Sequence, residues 1–140
     1  MIKKALVAAS LTVALTAPAF AEGNLASSAT RLPELVIDSA ELTFSETEYQ
    51  LETGKYYRWS IVHDGGEELA IFAPELMRNS WVNQIVINDL EVKPWGGIYS
   101  VEFDDEGTID IWFVPIRPGE YEFYAAGYQN RGLTGKFVVR

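Results

Sequence analysis

The C-terminal part of this chain decides its fold: residues 118–125 read Pro-Gly-Glu-Tyr-Glu-Phe-Tyr-Ala, and residues 132–139 read Gly-Leu-Thr-Gly-Lys-Phe-Val-Val. In the first stretch, positions 121, 123 and 125 alternate with positions 120, 122 and 124. This period of two is typical of a strand with one buried face. The Pro-Gly pair sets a turn before the strand. The pattern therefore predicts a hairpin formed by strands 120–125 and 134–139.

The chain before this hairpin contains further short apolar runs, rich in β-branched and aromatic residues and separated by turn signals. They predict eight more strands: 34–38, 41–44, 48–51, 56–62, 68–72, 83–87, 98–103 and 108–114. Residues 74–79 form the best helix candidate, because Pro74 suits a first helical turn. Gly107 is expected to supply a positive φ in the turn before strand 108–114. The chain is therefore predicted to be all-β, an antiparallel Greek-key sandwich or barrel with one short helix.

The C-terminal hairpin resembles that of the cupredoxins, the plastocyanin and azurin class of copper proteins. In that class a Tyr/Phe-rich strand leads into a Cys, a short loop carries a His, and a Gly-Met-x-Gly segment opens the last strand. The resemblance places Ala125 at the Cys position, Tyr128 or Gln129 at the His position, and Leu133 at the Met position. It implies a cupredoxin-like fold.

A second stretch, residues 59–69, resembles the segment that carries the first His ligand in the same class. The resemblance places Glu68 at that ligand position. The chain contains no cysteine, whereas a type 1 copper site requires a thiolate beside two imidazoles. The resemblance therefore implies the fold without the blue-copper site. The lack of cysteine also excludes disulfides and thiol catalysis.

The first 21 residues have the features of a secretory signal peptide. Lys3 and Lys4 precede an apolar run at residues 5–17, and Ala19-Phe20-Ala21 forms a small-x-small cleavage site. We therefore expect export to the periplasm and no membrane anchor after cleavage. Residues 22–33 are predicted to be a flexible arm, and residues 34–140 the cupredoxin-like domain.

The exported chain is strongly acidic. Removal of the leader leaves 9 basic against 20 acidic residues, a net charge of −11. Such a chain repels phosphate backbones, so nucleic acid is not expected as a partner. The charge suits a basic periplasmic protein or a hard cation, and it would equally serve solubility.

His63 is the only imidazole in the chain, and it precedes Glu67 and Glu68. These three residues are the candidate ligands for a cation such as copper or iron, in a site other than type 1. The alternative is that His63 is a turn residue that hydrogen-bonds local backbone or faces water. The acidic run 104–106 is read as a solvated hairpin tip.

Trp95, Tyr128 and Gln129 are the candidate partner-binding residues. Trp95 lies between a Pro and a Gly-Gly pair, where a large side chain is seldom buried, and the other two flank the loop of the absent copper ligands. Alternatively, these side chains only cover one end of the barrel.

Two functions from different classes follow. The first is a periplasmic cupredoxin-like binding or accessory protein that docks a partner or carries a cation through His63 and carboxylates. The second is a small metal-dependent enzyme, and a component of copper or iron uptake is a further alternative. No nucleophile–base pair or phosphate-binding loop is present, so we expect a protein that is not an enzyme.

Overall fold

The computed structural model describes residues 28–140. The predicted signal peptide and residues 22–27 of the predicted arm lie outside the described residues. No helix in the described part of the chain is long and apolar enough to cross a bilayer.

The described chain folds into twelve strands, one short α-helix and one 3₁₀ turn. In chain order these are β1 Thr30–Arg31, β2 Leu35–Asp38, β3 Thr43–Phe44, β4 Glu48–Leu51, β5 Tyr57–His63, β6 Leu69–Phe72, α1 Pro74–Arg78, β7 Ser80–Ile87, β8 Leu90–Val92, β9 Ser100–Phe103, β10 Gly107–Pro115, β11 Gly119–Ala125, the 3₁₀ turn Gln129–Arg131 and β12 Thr134–Val139. All ten predicted strands and the predicted helix are present.

The strands form two sheets that pack face to face. The first sheet has the order β3-β2-β5-β10-β7-β8, with β1 also paired to β5, and the second has the order β4-β12-β11-β6-β9. The predicted all-β sandwich with one short helix is confirmed. Both sheets are mixed, because β1 and β2 run parallel to β5 and β4 runs parallel to β12. Parallel neighbours need crossover connections, so local turn signals do not reveal them.

Interlocking aromatic side chains between the sheets form the core. Trp59 meets Phe137 edge to face at 5.0 Å and Phe123 at 5.7 Å, and Tyr49 stacks on Phe137 at 5.1 Å. The alternation predicted for β11 is present, since Tyr121, Phe123 and Ala125 are all buried. Edge-to-face and offset pairs of this kind stabilise a core beyond their buried area.

The sequence did not predict β1 and β8. In β1, Thr30 N donates to Tyr56 O at 2.8 Å, so this end of the segment predicted as a flexible arm belongs to the first sheet. β8 follows a tight turn in which Asn88 and Asp89 both have positive φ, as in hairpin turns of the primed type.

The expectation for Gly107 was wrong. It opens β10 and has no positive φ, whereas Gly65 in the β5–β6 turn has φ 85°. The β9–β10 connection is therefore closed without a left-handed glycine at position 107.

Candidate functional site

One end of the sandwich is acidic, and three turns build it. They are the β2–β3, β5–β6 and β9–β10 connections, and their segments 38–41, 64–68 and 102–106 contain no Lys or Arg. We call this surface the acidic end. Its carboxylates are Asp38, Glu41, Asp64, Glu67, Glu68, Glu102, Asp104, Asp105 and Glu106.

Hydrogen bonds hold the β2–β3 and β5–β6 turns together. Ser39 donates to the Asp64 carboxylate from its backbone N at 3.1 Å and also from its hydroxyl. These bonds hold the pKa of Asp64 below its ordinary value, since they favour the charged form. The Asp64 carboxylate therefore joins the two turns.

The β9–β10 turn packs against the same two turns. A Cβ on Gly65 would lie only 2.9 Å from Glu106 N, so the backbones approach closely where Gly65 has its positive φ. Across the outer sheet edge, the carboxylates of Glu68, Glu102 and Asp104 lie within 4.8 Å of one another, and all three residues are exposed. The acidic end is therefore one continuous surface.

His63 lies beneath this surface, inside the sandwich. Its ring is 3% exposed and stacks on Phe103 with centroids 5.3 Å apart. Nδ1 is 3.2 Å from Gly65 N, which donates to it, and 3.3 Å from Asp105 O. Nε2 is buried and has no hydrogen-bond partner among residues 28–140. The ring thus contacts the backbone of two turns from a buried position at the end of β5.

The three candidate metal ligands have different surroundings. His63 is buried, whereas Glu67 and Glu68 are exposed on the β5–β6 turn. Glu68 belongs to the cluster with Glu102 and Asp104, and His63 is not a member of that cluster. Glu102 belongs to β9, the strand that pairs with β6, and Asp104 directly follows β9. A sequence-local search could not find them.

The positions that the resemblance assigned to copper ligands converge at this same end. Ala125 N donates to Leu133 O at 3.0 Å, and Tyr128 N donates to Ala125 O at 3.1 Å. Ala126 N donates to Ala70 O at 3.1 Å, which places the end of β11 beside the start of β6 and thus near Glu68. Ala125 and Leu133 are fully buried. At the positions that the resemblance assigned, this end thus has Ala125, Leu133, the Glu68 carboxylate and either Tyr128 or Gln129.

The candidate partner-binding residues lie in two places. Tyr128 and Gln129 are in the loop that follows β11. Tyr128 is half-buried against the core, and the Arg131 guanidinium lies 6.0 Å from the centre of its ring. Gln129 is exposed and begins the 3₁₀ turn. This loop is at the acidic end. Trp95 lies elsewhere, in the β8–β9 connection, and is fully exposed at 103%.

Trp95 borders an open groove of about 670 Å³ between α1, β7 and the β8–β9 connection. Trp81 and Tyr99, which are 45% and 75% exposed, line it as well. The Ser80 hydroxyl in the wall is buried and has no hydrogen-bond partner in the described chain. Sequence reasoning found Trp95 from its Pro and Gly neighbours but missed Trp81 and Tyr99, since each lies in or next to a strand.

Comparison with known proteins gives a consistent class for this architecture. No family model matches the chain, and no curated protein matches it. Among solved structures, a multicopper oxidase from Campylobacter jejuni, titled a metallo-oxidase, superposes with a TM-score of 0.55 at 8% identity, over 81% of this chain and 30% of that one. Reduced auracyanin from the photosynthetic bacterium Roseiflexus castenholzii gives 0.52 at 17% identity, over 81% and 98%.

A copper nitrite reductase from Nitrosomonas europaea also gives 0.52, at 8% identity, over 65% of this chain and 32% of that one. The chain thus spans about a third of the length of the two enzymes and nearly all of auracyanin. The neighbours are cupredoxins, and this chain has a cupredoxin-like fold. At these identities the similarity concerns the fold alone.

Proposed function

We propose that this protein is a periplasmic cupredoxin-fold binding module that docks a basic partner protein at its acidic end. The supporting observation is that three turns join nine carboxylates into one surface without Lys or Arg in those segments. This surface lies where the resemblance would place copper, and the chain has no cysteine to build a type 1 site. Tyr128 and Gln129 adjoin the surface and would contact the partner.

A surface of this charge acts mainly on the rate and specificity of association. Complementary potentials steer a basic protein towards it and reject acidic ones. The apolar part of Tyr128 supplies the kind of aromatic contact that is enriched in interfaces. Cleavage of the predicted signal peptide would deliver the protein to the periplasm, where such a partner would be met.

The test compares two variants with the same change of total charge. In the first, Glu67→Gln, Asp104→Asn and Glu106→Gln neutralise the acidic end. In the control, Glu34→Gln, Glu52→Gln and Glu120→Gln neutralise exposed carboxylates outside it. Each immobilised protein is exposed to periplasmic extract, and bound proteins are eluted with salt and identified by mass spectrometry.

We expect the unchanged protein and the control to retain the same basic protein, and the acidic-end variant to lose it. Purified partner is then titrated against all three proteins by calorimetry. Equal affinity for the acidic-end variant and the control would contradict the proposal, because charge at that end would then have no specific role.

Cation carriage is a second candidate, favoured by the cluster of Glu68, Glu102 and Asp104. Carboxylate oxygens are the ligands that hard cations prefer. Metal analysis of the protein isolated from periplasm, with Glu68→Gln and Glu102→Gln as the test variant and Glu34→Gln and Glu52→Gln as control, separates the two functions. Metal lost only from the test variant supports cation carriage, and metal-free protein contradicts it.

A further inference from the structure

Large apolar side chains are exposed mainly along the β7–β8 edge of the first sheet and in the connection that follows it. Among residues 28–140, eight large hydrophobic residues are exposed, and six of them belong to β7, β8 and the β8–β9 connection. These six are Trp81, Ile87, Leu90, Val92, Trp95 and Tyr99. Three of them, Trp81, Trp95 and Tyr99, line the groove, which lies at the end of the sandwich opposite the acidic turns, because Trp81 pairs with Val114 near the end of β10. Exposed apolar patches on soluble proteins usually mark interaction surfaces. We call the groove with these three side chains the aromatic face.

The aromatic face is also nearly neutral. Between residues 74 and 99 the chain has two basic and three acidic residues, a net charge of −1, whereas the exported protein as a whole has −11. The basic partner proposed for the acidic end has no electrostatic reason to bind here. An occupant of this face must instead match an apolar centre with balanced charges around it.

Two ion pairs border the groove. Arg78 forms an ion pair with Glu75 at 2.8 Å on α1. Lys93, which lies between β8 and the groove-lining Pro94, forms an ion pair with Glu91 at 3.2 Å. In a twofold arrangement, α1 of one copy would face β8 of the other. Arg78 would then meet Glu91 of the second copy, and Lys93 would meet its Glu75. Such an arrangement would make the face complementary to itself in charge.

We propose that the aromatic face is the interface of a homodimer, with Trp95 of each copy inserted in the groove of the other. Trp is enriched among the residues that dominate binding energy. Of the surfaces described, this is the one on which two copies of so acidic a protein meet without strong repulsion.

The strands are expected to stay unpaired across this interface. β8, at the free edge of the first sheet, has only three residues, and it is flanked by the charged Asp89 and Lys93 and followed by Pro94. Short length, charge and Pro are the features that prevent edge-to-edge pairing. Side chains of the groove, and not a continuous sheet, would therefore hold the dimer together.

Sedimentation velocity of the exported protein over a range of concentrations tests the proposal. We expect a reversible monomer–dimer equilibrium and a dimer dissociation constant that rises at least about tenfold with Trp95→Ala, as for an interface anchor. Val36→Ala, which removes an exposed apolar side chain on β2, outside the face, should leave it unchanged.

Charge exchange tests the twofold pairing. Arg78→Glu and Glu91→Arg should each weaken the dimer, and the double variant should restore it. A protein that stays monomeric at the highest concentrations, or a dimer that tolerates Trp95→Ala, would overturn the proposal. So would a double variant no better than the single ones. None of these results depends on the acidic end, so this inference and the proposed function fail independently.

Discussion

At the scale of single residues, Tyr49 shows how burial controls chemistry in this fold. Its ring packs among Phe123, Phe137 and Trp59, and its hydroxyl donates to Pro33 O at 3.1 Å. Burial, the largest cause, raises the pKa of Tyr49 to about 12, because the phenolate would lose its hydration.

This raised pKa predicts a loss of stability in alkali. Below the unfolded-state pKa of about 10 the phenol is protonated in both states. Between about pH 10 and about 12 the unfolded state loses the proton while the folded state keeps it, so the free energy of unfolding falls. Urea denaturation followed by Trp fluorescence from pH 8 to 11.5 should show the decline, and Tyr49→Phe should make it shallower. An identical decline in both proteins would refute the assignment.

Gly135 in β12 is required by close packing. A Cβ there would lie 2.3 Å from Phe123 Cζ and 2.7 Å from Thr47 O. Because the Phe123 ring is fully buried and Thr47 O is backbone, neither can move freely. Gly135→Ala should lower the free energy of unfolding by about 1–3 kcal/mol, the range for overpacking. Gly107→Ala, with open space around the new methyl group, should change it little, and similar losses for both would contradict this role.

At the scale of elements, the outer face of β5 and β10 is joined by a polar cross-strand cluster. Arg58 donates to both Asp110 carboxylate oxygens, at 2.9 and 2.6 Å, and Ser60 donates to the same carboxylate. Trp112 lies beneath the Arg58 guanidinium at 5.1 Å. Asp110 is buried, so it needs these donors.

Removing Asp110 should therefore weaken the pairing of β5 and β10. Asp110→Ala leaves Arg58 and Ser60 without their acceptor, and we expect a loss of about 2–3 kcal/mol in the free energy of unfolding. Thr108→Ala, at an exposed position of the same strand, should cost less than about 0.5 kcal/mol. Chemical denaturation measures both. Equal costs would show that the cluster adds nothing beyond strand propensity.

The elements also show what the sequence could predict and why the rest was hidden. Alternation and turn residues are local signals, so they identified ten strands and α1. The pairing of β4 with β12 joins segments more than 80 residues apart, and β1 contains two residues without alternation. Glu68 was selected from the resemblance, but Glu102 and Asp104 reach it only through the β6–β9 pairing. The sequence likewise could not show that Trp81 and Tyr99 line one groove, because α1 and the β8–β9 connection form it only in the folded chain.

At the scale of the whole molecule, charge and apolar surface are separated. The acidic end concentrates carboxylates from three turns, whereas the aromatic face, at the opposite end, is nearly neutral and has three exposed aromatic side chains. This difference in chemistry is the basis for proposing two different occupants, a basic partner at the first surface and a second copy at the second.

This separation predicts opposite responses to salt and to mutation at the two surfaces. Association with the basic partner, followed by stopped-flow fluorescence, should slow as ionic strength rises from about 0.02 to 0.2 M, because the Debye length shrinks. Trp95→Ala should leave that rate unchanged. A rate that is insensitive to salt but reduced by Trp95→Ala would place the partner on the aromatic face.

The proposed acidic docking end lies where the copper ligands of a cupredoxin-like fold would stand. This placement is tested most directly by restoring those ligands in one protein: Glu68→His, Ala125→Cys, Leu133→Met and, in two separate versions, Tyr128→His or Gln129→His. After addition of Cu(II), absorption spectroscopy should show an intense visible thiolate-to-copper band in one version, and the unchanged protein should show none. Folded variants that bind Cu(II) without this band, or bind none, would contradict the assignment of these four positions and with it the account of the acidic end.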